Sequence, residues 1–260
     1  MISSDIPEIE RLADAAWPAA EQVALGPWTL RATGGVTHRA NSVFAVPRGP
    51  VPVDIAPLIE AAERFYDARG LWTVFHISPA VLPRDLDAIL DARGYATESP
   101  SEVWTADAAE VAQRTGEAGA GEVRRTARPD TAWFDCAYQE PEPRRSIHEG
   151  IVLRIAQPAL FVSVREGPVA VACGFGVSGG GHAGVFSMVT RAEHRGRGLA
   201  ARVLHALAQW ACERGDARLY LQVGGSNAPA HAVYGRVGFA FAYPYRYRVR
   251  KPELPAGGPV

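Results

Sequence analysis

The sequence has no surplus of charge of either sign, only three cysteines and no long apolar run, and each shortage excludes a class of protein. Its 27 Lys and Arg stand against 28 Asp and Glu, for a net charge of −1, far from the strongly basic balance of a nucleic-acid-binding domain. Cys136, Cys173 and Cys212 are odd in number and irregularly spaced, which fits neither a disulfide framework nor a zinc site. Each lies in an apolar run and is expected as a buried, reduced thiol; no metal is expected. No stretch reaches the ~18 consecutive apolar residues of a membrane helix. The opening MISSDIPEIERLADAAW is acidic and amphipathic, without the basic and apolar regions of a secretory signal. The expected setting is the cytoplasm, away from membranes and nucleic acid, for a monomer or a homodimer.

What is present is 260 residues of ordinary globular composition, enough for two small domains. The segment 107–129, DAAEVAQRTGEAGAGEVRRTARP, is poor in large apolar residues and reads as a linker or exposed crossing. That puts a boundary near residue 115, between domains at 1–115 and 116–250, with 251–260 as a solvated tail. The two sides are patterned alike. LAARVLHALAQWACERG carries Leu199, Val203, Leu207 and Trp210 or Ala211 at helical spacing and stops at Gly215. A strand ARLYLQV, a helix PAHAVYGRVGFA and the aromatic strand FAYPYRYRVR follow. On the other side IAPLIEAAERFYDARG stops at Gly70, and WTVFHIS, LPRDLDAILDARGYA and SEVWTAD repeat helix, strand, helix, strand. A duplication is the economical explanation. Before the second repeat, ALFVSVRE, PVAVACGFGV and HAGVFSMVT are β-rich runs joined by tight turns, an antiparallel meander. The expected class is a mixed α/β (α+β type) fold.

HRGRGLAARVL is the most informative stretch. Gly196 and Gly198 let the backbone approach a ligand closely. A helix beginning near Leu199 turns its free N–H groups and positive end toward that loop, and Arg195 and Arg197 add donors. Together these describe a pyrophosphate pocket. Gly196-x-Gly198-x-x-Ala201 also satisfies the dinucleotide fingerprint in form, but the connection TRAEHR from the preceding strand is too long. The next strand ends at Val223-Gly224-Gly225-Ser226-Asn227, without the acid that would hold a ribose.

Written Arg-x-x-Gly-x-Ala, the loop resembles the phosphate signature of the GCN5-related N-acetyltransferase (GNAT) superfamily. Asn227-x-x-Ala230-x-x-x-Tyr234-x-x-x-Gly238-Phe239 is similar to that family's second signature. The resemblance rests on motifs over roughly 123–250 and on outline alone over 1–106. It implies a central, mostly antiparallel sheet with a V-shaped splay, flanked by helices and preceded by a degenerate GNAT-like domain. The degeneracy lies in VPRGPVPVDIAPLIEA, which lacks the pattern and has prolines where N–H donors would be needed.

The resemblance further implies acetyl-CoA as co-substrate. Gly196 to Ala201, including Leu199 and Ala200, would cradle its diphosphate, and Met188, Val189 and Thr190 would meet the pantetheine and polarise the carbonyl. Ala230 and Asn227 would lie at the acyl end, with Asn227 equally readable as a helix N-cap. Tyr234, one turn beyond Ala230, takes the family's general-acid position. The acceptor would be an amine of a small molecule or peptide. For the base, Glu149 is the leading candidate, with His148 beside it and His182 opening the cofactor strand, although ordered water serves as well. A non-catalytic acyl-CoA-binding regulator and an enzyme with another acyl donor are the alternatives. The Tyr243–Arg248 alternation reads as a strand closing the sheet rather than a stacking platform for single-stranded nucleic acid. Trp28, Arg31, Arg39 and Asn41, near a Gly-Gly turn, belong either to a strand pair reaching the acceptor or to a plain hairpin.

Overall fold

The computed structural model describes residues 5–116 and 121–251. In chain order the elements begin with α1 (Ile6–Ala15), β1 (Glu21–Leu25), β2 (Trp28–Ala32), β3 (Val43–Phe44), α2 (Ala56–Asp67), β4 (Thr73–Ile77), α3 (Leu86–Ala92) and β5 (Ala96–Asp107). They continue with α4 (Ala108–Thr115), β6 (Glu122–Thr126), α5 (Thr131–Ala137), α6 (Arg144–Leu153), β7 (Ala159–Glu166), β8 (Val169–Gly179) and β9 (His182–Thr190). The last four are α7 (Leu199–Glu213), β10 (Arg218–Gly224), α8 (Ala228–Arg236) and β11 (Ala240–Arg250). No helix among the described residues is long and apolar enough to cross a membrane.

The chain divides into two compact units, and the division does not fall where composition put it. One unit comprises the chain through Pro18 together with Ser101–Pro244; the other comprises Ala19–Pro100 and the chain from Tyr245 onward. The expected linker at 107–129 is largely ordered structure. Asp107 caps α4 by accepting from the Glu110 N–H at 2.9 Å, and Ala108, Val111 and Thr115 are buried. Alanine gives this helix a narrow apolar stripe that resembles linker composition, yet it packs against α7 in one core. Helix α1 joins the same unit: Ile9 and Ala13 are buried, and Trp17 just beyond it stacks on Phe175 at 6.2 Å. The tail expected at 251–260 lies outside the described residues from 252 onward.

In the larger unit the strands run β5–β10–β9–β8–β7–β6. All neighbours are antiparallel except β9 and β10. Its core forms where α7 lays Leu199, Val203, Leu204, Leu207 and Ala211 on Val162, Val164, Val185, Leu219 and Leu221. Burying each large aliphatic side chain contributes about 1.5–3 kcal/mol. In the smaller unit the order is β1–β2–β3–β4–β11, antiparallel except for β3 and β4. The duplicated helix–strand–helix–strand order is therefore present, but the final strands are traded. Strand β5, which follows α3, pairs through Ser101–Asp107 with β10, and β11, which follows α8, pairs through Arg246–Arg250 with β4.

Several sequence features are consumed by folding. Trp28 is buried and donates to the Leu82 carbonyl. Arg31 is buried and donates to the Ser42 carbonyl and hydroxyl. Asn41 closes its turn through the N–H groups of Thr33 and Gly35. Tyr243, Tyr245 and Tyr247 are buried, so the tyrosine face of β11 is packing rather than an open stacking surface. Of the cysteines, Cys136 and Cys173 are buried, but Cys212 is exposed: on α7 it follows the core-facing Ala211 and points outward.

Candidate active site

The parallel pairing of β9 with β10 runs only from His182–Arg218 to Val185–Leu221. Beyond that point β9 continues to Thr190 and β10 to Gly224 without pairing to each other, which opens a fork in the sheet. A bulge in β9 shapes its near wall. Phe175 faces Phe186 and Cys173 faces Val189, so Ser187 and Met188 share Gly174 as their only opposite residue. Ser187 takes φ +47° to make room. Its hydroxyl hydrogen-bonds the Tyr138 hydroxyl at 2.9 Å, and Trp133 donates to the carbonyl of Gly174 at 3.2 Å.

Strand β9 leads through Ala192–His194, a short 3₁₀ turn, into the glycine loop. Gly196 and Gly198 both lie in the left-handed region, at φ +75° and +76°, where side chains are disfavoured. The first bond of helix α7 runs from the Arg202 N–H to the Gly198 carbonyl at 3.1 Å. The amides of Leu199, Ala200 and Ala201 precede the helical ladder and, with the helix dipole, offer donors of the kind that suits an anion.

Met188, Val189, Thr190, Arg195, Ala200, Asn227, Ala230 and Tyr234 line one cleft of about 430 Å³. Pro229 and Val233 line it too and were not anticipated. The signal for Val233 was its place three residues beyond Ala230, on the same face of α8. Arg195 reaches back to the Thr190 carbonyl. Arg197 turns aside to Glu166 at 2.6 Å and His194 at 2.7 Å. Leu199 is buried in the core, so its side chain takes no part in the cleft. Asn227 caps α8, accepting from the Ala230 N–H at 3.2 Å, while also lining the cleft.

Tyr234 packs its ring edge-on to Phe239 at 5.7 Å. Its hydroxyl has no hydrogen-bond partner among the described residues, and burial pushes its pKa up to about 12. The hydroxyl is thus protonated throughout the neutral range, free to donate to whatever occupies the cleft.

The candidate bases separate. Glu149 is bound to Arg145 at 2.8 Å, and Arg145 also holds Asp135; Glu149 is not among the residues lining the cleft. His182 bonds the Gly180 carbonyl at the opposite end of β9, roughly 26 Å from Thr190 along an extended strand. His148 is buried, stacked on Tyr138 with ring centroids 4.9 Å apart. Its Nδ1 lies 3.1 Å from Glu140. Burial lowers its pKa, the Glu140 carboxylate opposes that shift and Arg144 adds to it. Through Tyr138, His148 alone of the three is tied to the bulge in β9.

Comparison with known proteins agrees with this geometry. Residues 3–248 match the family described as "Probable histone acetyltransferase Rv0428c C-terminal". The chain is 33% identical over 254 residues to the uncharacterized N-acetyltransferase YobR of Bacillus subtilis (strain 168), covering 95% of this chain and 99% of that one. Its fold is similar to that of a GCN5-related N-acetyltransferase from Kribbella flavida. The TM-score is 0.68 at 20% identity, over 97% of this chain and 96% of that chain. It is also similar to a tandem GNAT protein from the clavulanic acid biosynthesis pathway, with TM-score 0.60 at 15% identity over 76% and 70% of the two chains. The forked sheet, the glycine loop and these relatives together make the chain an acetyltransferase of the GNAT type, a member of the Rv0428c C-terminal family.

Proposed function

We propose that the protein transfers an acetyl group from acetyl-CoA to a primary amine of a small molecule or peptide in the cytoplasm, with Tyr234 as general acid. The observation that carries this reading is the single cleft that joins the free amides at the start of α7 to the Tyr234 hydroxyl. The amides from Gly196 to Ala201 suit a diphosphate, and the unpaired edge of β9 from Met188 to Thr190 suits the amides of a pantetheine arm. Acetyl-CoA supplies the acyl group as a thioester. The amine nitrogen forms the new C–N bond, the C–S bond breaks, and Tyr234 gives its proton to the departing sulfur. A backbone N–H near Met188–Thr190 polarises the carbonyl. A lysine-like amine, of pKa ~10.4, costs about 4–5 kcal/mol to hold neutral at pH 7, so its surplus proton leaves through water or a nearby base.

The smaller unit, in this reading, is a degenerate copy that holds no cofactor. At the start of α2 the Ala56 N–H donates to the Asp54 carboxylate at 2.9 Å. A negative charge therefore stands where a phosphate would need to be, and Pro47, Pro50 and Pro52 upstream have no N–H to offer.

The test is a thiol-release assay with acetyl-CoA against a broad amine library, alongside calorimetry with acetyl-CoA alone. Binding with amine-dependent thiol release is expected. Binding without release would favour an acyl-CoA-binding regulator, and faster release from propionyl- or succinyl-CoA would favour another donor.

A further inference from the structure

Strand β10 leaves β9 after the Leu221–Val185 pair, so Gln222 is its first residue inside the fork. Leu219, Leu221 and Val223 belong to the core beneath α7. Alternation along a strand sends Gln222 to the opposite face, that of Tyr220, whose ring meets Phe186 edge-on at 6.0 Å. The Gln222 side-chain oxygen is buried and has no hydrogen-bond partner among the described residues. A buried amide oxygen without a donor costs stability.

A second unspent acceptor lies on this same face. Helix α5 covers it, with Trp133 meeting Phe175 at 5.9 Å and Phe175 stacked on Phe186 at 5.2 Å. Just beyond α5, Tyr138 holds the hydroxyl of Ser187 in the bulge, and Glu140 follows two residues later. One oxygen of Glu140 faces His148, while the other is buried and unpartnered. Two oxygens that can only accept hydrogen bonds thus lie on the side of the sheet that α5 covers. They ask for a ligand rich in N–H groups.

Resting on the proposed function, we infer that the acceptor amine enters from the α5 face and that the Gln222 carbonyl oxygen receives one of its N–H groups. That bond holds the nitrogen lone pair toward the acyl carbon at the fork. Glu140 gives the entrance a carboxylate and favours acceptors that carry a second amino or ammonium group. Gln222 is then an acceptor-binding residue, with no part in holding acetyl-CoA.

The experiment compares Gln222→Leu and Gln222→Glu with the wild type, using a panel that includes spermidine, Nα-acetyl-lysine, glucosamine and n-butylamine. Thiol release gives kcat and KM, and calorimetry gives the affinity for acetyl-CoA. Removing one hydrogen bond to the acceptor raises its KM about tenfold or more in Gln222→Leu, with the acetyl-CoA Kd and the melting temperature unchanged. Gln222→Glu, which keeps an accepting oxygen, recovers most of the loss. An unchanged acceptor KM in Gln222→Leu, with normal acetyl-CoA binding, overturns the role of Gln222 and leaves the acetyltransferase reading standing. A wild-type protein that does not bind acetyl-CoA overturns that reading itself. One that binds it but releases no thiol with any amine overturns both.

Discussion

Gly174 and Met188 meet across the bulge so closely that a Cβ on Gly174 would stand 2.4 Å from the Met188 sulfur, and 3.1 Å from Val203. Met188 lines the cleft, so this contact sets the position of its wall. Gly174→Ala is expected to push Met188 into the cleft and raise the KM for acetyl-CoA about tenfold. Overpacking of this kind costs about 1–3 kcal/mol, a drop of several degrees in Tm by thermal melting. Adding Met188→Ala removes the clash and should restore much of the Tm; no recovery would mean that the contact is not the cause.

Tyr234→Phe deletes the hydroxyl and little else, because the hydroxyl has no hydrogen-bond partner among the described residues. The expected result is a fall in kcat of about tenfold or more, with the KM for acetyl-CoA nearly unchanged. The pKa of Tyr234 is raised to about 12 from its usual 10. Its contribution to stability is thus complete below about pH 10 and is lost as the pH climbs toward 12. Alkaline melting curves should show the wild type losing more stability than Tyr234→Phe across that window.

Gly198 opens α7 at φ +76°, a conformation that costs a β-branched residue about 1–2 kcal/mol. Gly198→Val is expected to turn the amides of Leu199 to Ala201 away from the anion site. Calorimetry should show acetyl-CoA affinity falling about tenfold or more. An unaltered Kd would remove the glycine loop from the binding site.

Asp87 is held at a pKa of about 2, chiefly by its hydrogen bond from Arg248, with Arg246 adding to the effect against some desolvation. Both arginines lie on β11, so this carboxylate fastens the traded strand to α3. Because the folded pKa is depressed, the stabilisation is complete above the usual value of about 4 and disappears as the pH falls through about 2. Asp87→Asn should cost about 1–2 kcal/mol at pH 7, allowing for partial solvent screening, and the difference in Tm from wild type should vanish near pH 2.

Much of the larger unit was legible in the sequence. The runs ALFVSVRE and HAGVFSMVT are strands β7 and β9 to the residue, because alternation and glycine turns bound them on both sides. The glycine loop declared itself through two residues at positive φ before an amphipathic helix. Helix α4 was hidden because alanine fills a close helix contact while looking like linker. Glu149 and His148 stand one helical step of about 100° apart, which puts them on different faces of α6. His148, Ile151 and Val152 share the buried face of α6, a spacing of three and four residues that was readable in advance. The place of Gln222 at the fork depends on where two distant strands stop pairing, and no local pattern records that. The same holds for the traded strands, since Val249 pairs with Val74 across most of the chain.

That trade makes neither repeat self-sufficient. A polypeptide cut between the repeats would leave β4 without β11, and β10 without β5. Each fragment would then present a bare row of N–H and C=O groups, which invites pairing with foreign strands. The repeated order thus carries mutual dependence: the strand that ends the first repeat pairs with β10, and the strand that ends the second pairs with β4.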